Sequence, residues 1–196
     1  ASSVKLHSGK TLDCEVLVFG IGVSPNINLA QRLGLCVLDG VRVDKTYLAS
    51  EDIYVIGDLA FSEKRSKTRI ESVHHAQFSA AVAAASITGS DLPEQEPFWF
   101  WSNQHDVKLQ IAGVLPQTSE TQQINNEVRS GKKEGCFSVW SWYQNKLVCI
   151  EAIEDPQSFM VGKRMLERDI YVSPEMIADE RVPLKQLFEK LMANAR

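Results

Sequence analysis

Two different patterns of hydrophobic positions divide this chain near residue 97. Before it, short apolar runs at residues 15–19 and 53–56 end in glycine-containing turns, which is typical of strands buried on both faces of a parallel sheet. An alanine-rich stretch at residues 73–88 follows Ser72 and stops at Gly89, and these are capping signals of an α-helix. We therefore predict an α/β arrangement for the first half of the chain.

From residue 97 onward the apolar positions alternate with polar ones. Residues 107–111, 136–143 and 146–153 are predicted to be antiparallel strands, the last two joined by a turn at Gln144 and Asn145. Helices are predicted near residues 157–168 and 184–192, with a further helix start at Pro174. Residues 91–97 contain two prolines and three acidic residues and form the predicted boundary. The second half is therefore predicted to be α+β.

Composition narrows the class of protein. The chain has 196 residues, of which 44% are hydrophobic and 23% charged, and its net charge is −4, which argues against binding to nucleic acid or to an anionic membrane. The longest apolar stretch, residues 16–23, is too short to cross a bilayer. Widely spaced cysteines argue against a redox dithiol and a zinc ribbon and favour reduced thiols in the cytoplasm. These cysteines are Cys14, Cys36, Cys136 and Cys149.

Residues that could bind a ligand follow the second apolar run. Gly57 lets a backbone approach a ligand closely, and Asp58 offers an acceptor-only carboxylate that suits sugar hydroxyls. An ordinary Gly-Asp turn is the alternative. The helix that starts at Val73 and His74 exposes unpaired amides and the positive end of its dipole, which would stabilise an anionic ligand edge. The alternative here is an ordinary capped helix.

Three further motifs have weaker signals. Gly20 and Gly22 end the first apolar run, but the third glycine of a dinucleotide fingerprint is replaced by Pro25. Adjacent His74 and His75 point apart on a helix, so we predict no metal site. Basic clusters, including residues 163–168, are solvated faces or a docking site for an acidic partner protein.

An unbroken aromatic run follows the predicted boundary. In a strand, Trp99 and Trp101 would share one face, while Phe98 and Phe100 would lie on the other. Such a run forms either the core of a domain interface or an aromatic wall beside a planar cofactor. The sequence alone leaves both interpretations open.

Residues 18–26, 53–60, 69–73 and 99–104 together resemble a known family in their order and spacing. The chain looks like the C-terminal half of the flavin-dependent ferredoxin reductases of the putidaredoxin reductase and aromatic-ring dioxygenase reductase type. The resemblance implies three parts. Residues 1–24 would end a Rossmann-like NAD-binding domain, residues 25–96 would form the C-terminal part of an FAD-binding domain, and residues 97–196 would form an antiparallel-sheet α+β C-terminal domain.

The resemblance also implies roles in binding FAD and NAD(H). Asp58 would bind the ribityl chain of FAD, with Gly57 allowing the approach, and Val73 with its neighbour His74 would face the pyrimidine edge of the flavin. Other matching positions would lie around the cofactors, namely Gly20 and Gly22 near the end of the NAD domain and Trp99 and Trp101 around the flavin and nicotinamide. The chain departs from the usual family residues at His75, Ser79, Asn103 and His105.

The implied function is transfer of electrons from NADH through FAD to a [2Fe-2S] ferredoxin of an oxygenase system. No catalytic acid, base or nucleophile stands out in the sequence. The N-terminal FAD fingerprint does not occur in these 196 residues, so we expect the N-terminal half of the same protein as a partner and no activity without it. Alternatives are a folded interaction module without flavin, and a reductase for rubredoxin or a small-molecule acceptor. A homodimer is also left open.

Overall fold

The first half of the fold arranges small β-elements around one long helix. The computed structural model describes residues 2–63, 68–116 and 124–194. In chain order the elements are β1 (Ser3–Lys5), β2 (Thr11–Asp13), α1 (Asn28–Arg32), β3 (Val37–Leu38), β4 (Gly40–Arg42), β5 (Leu48–Ser50), β6 (Ile53–Tyr54), a 3₁₀ turn (Gly57–Leu59), β7 (Ala60–Phe61) and α2 (Val73–Thr88). Strands β4 and β7 pair in parallel, whereas β1–β2, β3–β4 and β5–β6 are antiparallel pairs.

Helix α2 begins and ends where the capping signals predict. The Ser72 side chain accepts a hydrogen bond from the His75 amide at 3.1 Å, and Gly89 adopts a left-handed conformation (φ 68°) at the other end. One face of the helix is buried, with Val82 and Ala83 packed in a small core around Tyr47. The helix prediction is therefore confirmed.

The second half is a five-stranded antiparallel sheet covered by helices. Its strands are β8 (Trp99–Gln104), β9 (Val107–Gly113), β10 (Ile124–Ser130), β11 (Phe137–Tyr143) and β12 (Lys146–Ile153), in the order β10-β11-β12-β9-β8. Helices α3 (Pro156–Glu167), α4 (Pro174–Ala178) and α5 (Leu184–Asn194) follow. The core is centred on fully buried Trp140 and Ile150. Gly162 lets α3 pack closely on β12, because an ideal Cβ would lie 2.7 Å from the Ile150 side chain.

Two strand predictions in the first half are wrong. Residues 15–19 form no strand, and Val18 and Phe19 are 85% and 73% exposed. A strand of a parallel sheet needs neighbours on both sides, and the described residues provide none for this segment. Residues 53–56 contain only the two-residue β6, which pairs with β5 alone, so this run is half-buried and Ile56 is exposed.

Candidate cofactor site

The chain turns sharply at Gly57 and Asp58, and two residues separate this turn from β6. Gly57 is buried in a left-handed conformation (φ 65°), and its amide donates a hydrogen bond to Ser79 Oγ at 2.9 Å. An ideal Cβ on Gly57 would lie 3.7 Å from the Ala76 Cβ, so the turn packs directly on the first half of α2. The Asp58 side chain is exposed on this turn, where its carboxylate can accept hydrogen bonds.

The first turn of α2 lies beside the Gly57 turn. Ser72 caps the His75 amide, but no described residue accepts a hydrogen bond from the amides of Val73 and His74. The Val73 side chain is 56% exposed. Unpaired amides and the helix dipole together place partial positive charge here, which favours an anionic or electron-rich ligand edge.

Aromatic rings from the start of β8 pack against α2. The Trp99 ring centroid lies 5.3 Å from that of His74 and 5.6 Å from that of Trp101. Trp99 and Trp101 therefore share a face, as the alternation predicts. Phe98 instead meets His75 edge-on, with centroids 5.6 Å apart. This arrangement joins the aromatic run to the helix start, and Trp101 remains partly exposed to solvent.

A chain of polar and charged side chains connects α2 to α3 beside Trp99. His74 Nε2 lies 3.5 Å from Glu96 Oε2, and the Lys163 ammonium lies 3.1 Å from the same oxygen and 2.7 Å from Glu167. Burial lowers the pKa of His74; Glu96 opposes this effect and Lys163 adds to it. His74 is therefore neutral near pH 7. Lys163 belongs to a cluster that we interpreted as a solvated face, but its ammonium is held by these carboxylates.

Acidification between pH 7 and pH 5 is expected to destabilise the fold through His74. Because the folded-state pKa lies below the ordinary value of 6.5, the unfolded chain binds this proton more readily, so stability falls as pH drops below that value. Glu96 does not obscure this window, since its pKa, lowered mainly by the hydrogen bond from Lys163, lies below 4.5. Urea unfolding at several pH values measures the effect.

The control for this titration is a pair of variants. His74→Phe keeps an aromatic ring beside Trp99 and should reduce the pH dependence between pH 7 and pH 5. His7→Gln, on the exposed β1–β2 turn, should leave the dependence as in the wild type. An equal slope in the wild type and in His74→Phe would show that His74 is not the group responsible.

His75 anchors the segment that leads into α2. Its ring is buried, with Nδ1 2.8 Å from the Ile70 carbonyl oxygen and Nε2 3.2 Å from the Tyr47 hydroxyl. A carbonyl can only accept, so Nδ1–H donates to Ile70 and Nε2 accepts from Tyr47. His75 therefore connects the core around Tyr47 to the backbone just before the helix.

Two of the predicted site residues lie apart from this cluster. Gly20 and Gly22 belong to the exposed segment that follows β2, and an ideal Cβ on either would meet no atom within 4 Å. By contrast, Gly57, Asp58, Val73 and His74 are clustered around the first half of α2. Trp99 and Trp101 adjoin this cluster through His74.

A cleft of about 430 Å³ lies between residues 68–72 and the sheet of the second half. Ser72, Trp99 and Cys149 contribute to its wall. Burial raises the pKa of the Cys149 thiol to about 12, so this thiol is protonated and a poor nucleophile at neutral pH. Across residues 2–63, 68–116 and 124–194, no cluster of three or more metal-ligating side chains occurs. No helix in those ranges has the length and apolar character needed to span a bilayer.

Three residues that shape the site had no predicted role of their own. Glu96 and Lys163 meet across 67 positions of sequence, a separation that no local pattern can reveal. Arg69 lay within one of the segments that carry the family resemblance, but the motif did not indicate what it contacts. Its side chain is 9% exposed, and burial of an arginine is the signal that only coordinates provide.

The fold resembles part of a pyridine nucleotide-disulphide oxidoreductase followed by a reductase C-terminal domain, and matches to two family models support this class. Residues 1–80 match the family described as pyridine nucleotide-disulphide oxidoreductase, and residues 99–188 match the family described as reductase C-terminal. The resemblance to the C-terminal portion of the ferredoxin reductases is confirmed, and so is the predicted fold class. The boundaries predicted at residues 24 and 96 stay predictions.

Relatives support this assignment over most of the chain. Rhodocoxin reductase of Rhodococcus erythropolis is 35% identical over 190 residues, which cover 94% of this chain and 43% of the relative. A ferredoxin reductase from Rhodopseudomonas palustris superimposes with a TM-score of 0.83 at 35% identity, covering 95% of this chain and 46% of that one. The covalent putidaredoxin reductase–putidaredoxin complex gives 0.87 at 27% identity, covering 98% and 46%. The chain thus spans less than half the length of these relatives.

Proposed function

We propose that the complete protein containing this chain transfers electrons from NADH through FAD to a [2Fe-2S] ferredoxin of an oxygenase system. The observation that carries the proposal is the packing of the Gly57–Asp58 turn on the start of α2. An exposed carboxylate and unpaired helix amides there adjoin the neighbouring rings of Trp99 and Trp101, whose planes are tilted by 32°. The names of the relatives, which are ferredoxin reductases, support the same reaction class.

The residues present suit a flavin. The Asp58 carboxylate can accept hydrogen bonds from ribityl hydroxyls, and Gly57 permits the left-handed turn that sets the Asp58 backbone beside α2. The amides of Val73 and His74 can donate to the pyrimidine edge and stabilise negative charge on it. Bound FAD would supply the hydride and single-electron chemistry. Trp99 and Trp101 would then form one wall of the flavin and nicotinamide site.

In the complete protein, each of three parts of this chain would belong to a different domain. Residues 1–24, with Gly20 and Gly22, would complete an NAD-binding domain, residues 25–96 would belong to the FAD domain, and residues 97–196 would form the C-terminal domain. The N-terminal half of the same protein would provide the rest of both cofactor sites. The four cysteines are free and unpaired by disulfides, which suits the reducing cytoplasm.

Changing Asp58 to alanine in the complete gene product tests the flavin assignment. Loss of a charged acceptor costs about 1.5–3 kcal/mol, so the FAD dissociation constant should rise by roughly 10- to 100-fold. Fluorescence titration of the apoprotein with FAD measures this constant. Asp52→Ala, in the exposed turn between β5 and β6, is the matched control and should bind FAD as tightly as the wild type. Unchanged FAD affinity in Asp58→Ala would contradict the assigned role.

The electron acceptor is tested by NADH oxidation in the presence of purified electron carriers. We expect rapid reduction of a [2Fe-2S] ferredoxin and much slower reduction of rubredoxin or a small quinone. Preferred reduction of either of those acceptors would overturn the ferredoxin part alone. A colourless gene product whose melting temperature does not rise with added FAD would instead favour a flavin-free interaction module.

A further inference from the structure

Arg69 is a half-buried residue whose guanidinium contacts the Gly57–Asp58 turn. Its Nη1 lies 2.7 Å from the Asp58 carbonyl oxygen, to which it donates a hydrogen bond, and 2.6 Å from a Glu71 carboxylate oxygen. Its Nε lies 3.2 Å from Asp39. The guanidinium therefore connects three segments: the β3–β4 turn, the Gly57–Asp58 turn and the approach to α2.

The backbone at Gly40 is shaped around this arginine. An ideal Cβ on Gly40 would lie 2.5 Å from Arg69 Cδ and 2.6 Å from the Leu59 carbonyl oxygen. The aliphatic part of Arg69 thus passes over a position that only glycine can occupy, and Gly40 also has a positive φ of 101°. Two independent features hold the arginine in one place. They are its hydrogen bonds and the space that Gly40 leaves for its stem.

Arginine suits this position for a chemical reason. Its planar guanidinium presents several donors in fixed directions, so it can serve a carbonyl and two carboxylates at once. A lysine carries the same charge but has a single nitrogen on a flexible stem. The Asp39 and Glu71 carboxylates compensate the charge of Arg69, which leaves the Asp58 carboxylate free to face a ligand.

We propose that Arg69 is a positioning residue for the flavin. Its hydrogen bond to the Asp58 carbonyl oxygen fixes the direction in which the Asp58 carboxylate meets the ribityl chain. This inference rests on the proposed function, because it assumes that Asp58 binds FAD. Arg69 makes its contribution through Asp58 and does not itself touch the cofactor. Its effect on FAD binding should therefore depend on the presence of the Asp58 side chain.

A double-mutant cycle in the complete gene product tests the proposal. Arg69→Lys should raise the FAD dissociation constant by about tenfold, equivalent to about 1.4 kcal/mol. In the Asp58→Ala background the same change should raise it by less than about twofold, because the group that Arg69 directs is gone. Arg42→Lys on β4 is the matched control: the Arg42 side chain is 55% exposed and pairs with Glu63 at 3.2 Å. It should leave FAD affinity unchanged.

Hydrogen exchange on the flavin-free protein gives a readout besides FAD binding. Amides of residues 57–61 should exchange faster in Arg69→Lys than in the wild type, whereas those of α5 should not change. If Arg69→Lys fails to fold, Asp39→Ala, which removes the exposed carboxylate 3.2 Å from Arg69 Nε, should reproduce both effects in weaker form.

The possible results distinguish a failure of the positioning role of Arg69 from a failure of the proposed function. Weakened FAD binding in Asp58→Ala with normal binding in Arg69→Lys overturns the positioning role and leaves the proposed function intact. Effects that multiply in the double variant also overturn it, because Arg69 would then act independently of Asp58. A wild-type gene product that takes up no FAD overturns the proposed function and this inference with it.

Discussion

Replacing Arg129 with methionine will lower the free energy of unfolding by about 3–5 kcal/mol, because three carbonyl groups lose a charged hydrogen-bond donor. Arg129 lies on β10 with 6% exposure, and its guanidinium donates to Ile177 O at 2.6 Å, Asp179 O at 3.2 Å and Val182 O at 2.8 Å. These bonds fasten α4 and the segment after it to the sheet. Urea unfolding followed by far-UV circular dichroism measures the loss.

The matched control lies in the same segment. Arg181 bonds only to the Asp179 side chain among its described contacts, and its own side chain is 90% exposed. Arg181→Met should change the unfolding free energy by less than about 0.5 kcal/mol. If the two variants were equally stable, the carbonyls around Arg129 would have to be satisfied in another way, and the proposed fastening of α4 would be wrong.

Replacing Gly113 with alanine should destabilise the sheet by about 2–4 kcal/mol, since strain and overpacking act together. Gly113 ends β9 with a positive φ of 88°, and an ideal Cβ would clash with the Val148 carbonyl oxygen. The β9–β12 pair would have to separate locally to admit the methyl group. The Gly113 amide also donates a hydrogen bond to Phe98 O at 2.8 Å, so the start of β8 would shift too. Urea unfolding followed by tryptophan fluorescence detects both changes.

Gly135→Ala isolates the conformational part of that cost. Gly135 also has a positive φ, 79°, but an ideal Cβ there meets no atom within 4 Å. Its replacement should therefore cost only about 1 kcal/mol, the usual penalty for alanine in a left-handed conformation. Equal losses in Gly113→Ala and Gly135→Ala would mean that the clash with Val148 is relieved without cost.

Local signals explain which elements could be predicted from sequence. Ser72 and Gly89 mark the ends of α2, and Gln144 with Asn145 marks the β11–β12 turn, because each signal acts on its immediate neighbours. Strand β10 gave no such signal. Its most buried residue is Arg129, a cation, so a search for apolar alternation passes over it. Residues 15–19 show the reverse: they have the composition of a buried strand but form none. Burial depends on neighbouring strands, which composition cannot specify.

The candidate site also combines residues that the sequence indicated with contacts that it could not reveal. The family resemblance drew attention to Asp58 and Trp99, and the structure brings the elements that carry them into contact with α2. The supporting contacts of Arg69 and Glu96 were not predictable, since they join segments that are distant in sequence. Which of these residues bind a cofactor stays a prediction until the variants above are measured.

Glu96 makes the contact between the α2–β8 segment and α3 sensitive to ionic strength. Glu96 lies in the segment between α2 and β8, and its carboxylate, 49% exposed, faces both His74 and Lys163. Dissolved ions reach and screen the half-exposed ion pair between Glu96 and Lys163, whereas the apolar contacts around Trp140 carry no charge. Salt therefore weakens the hold of α3 on the segment that leads into β8, while the sheet itself keeps its cohesion.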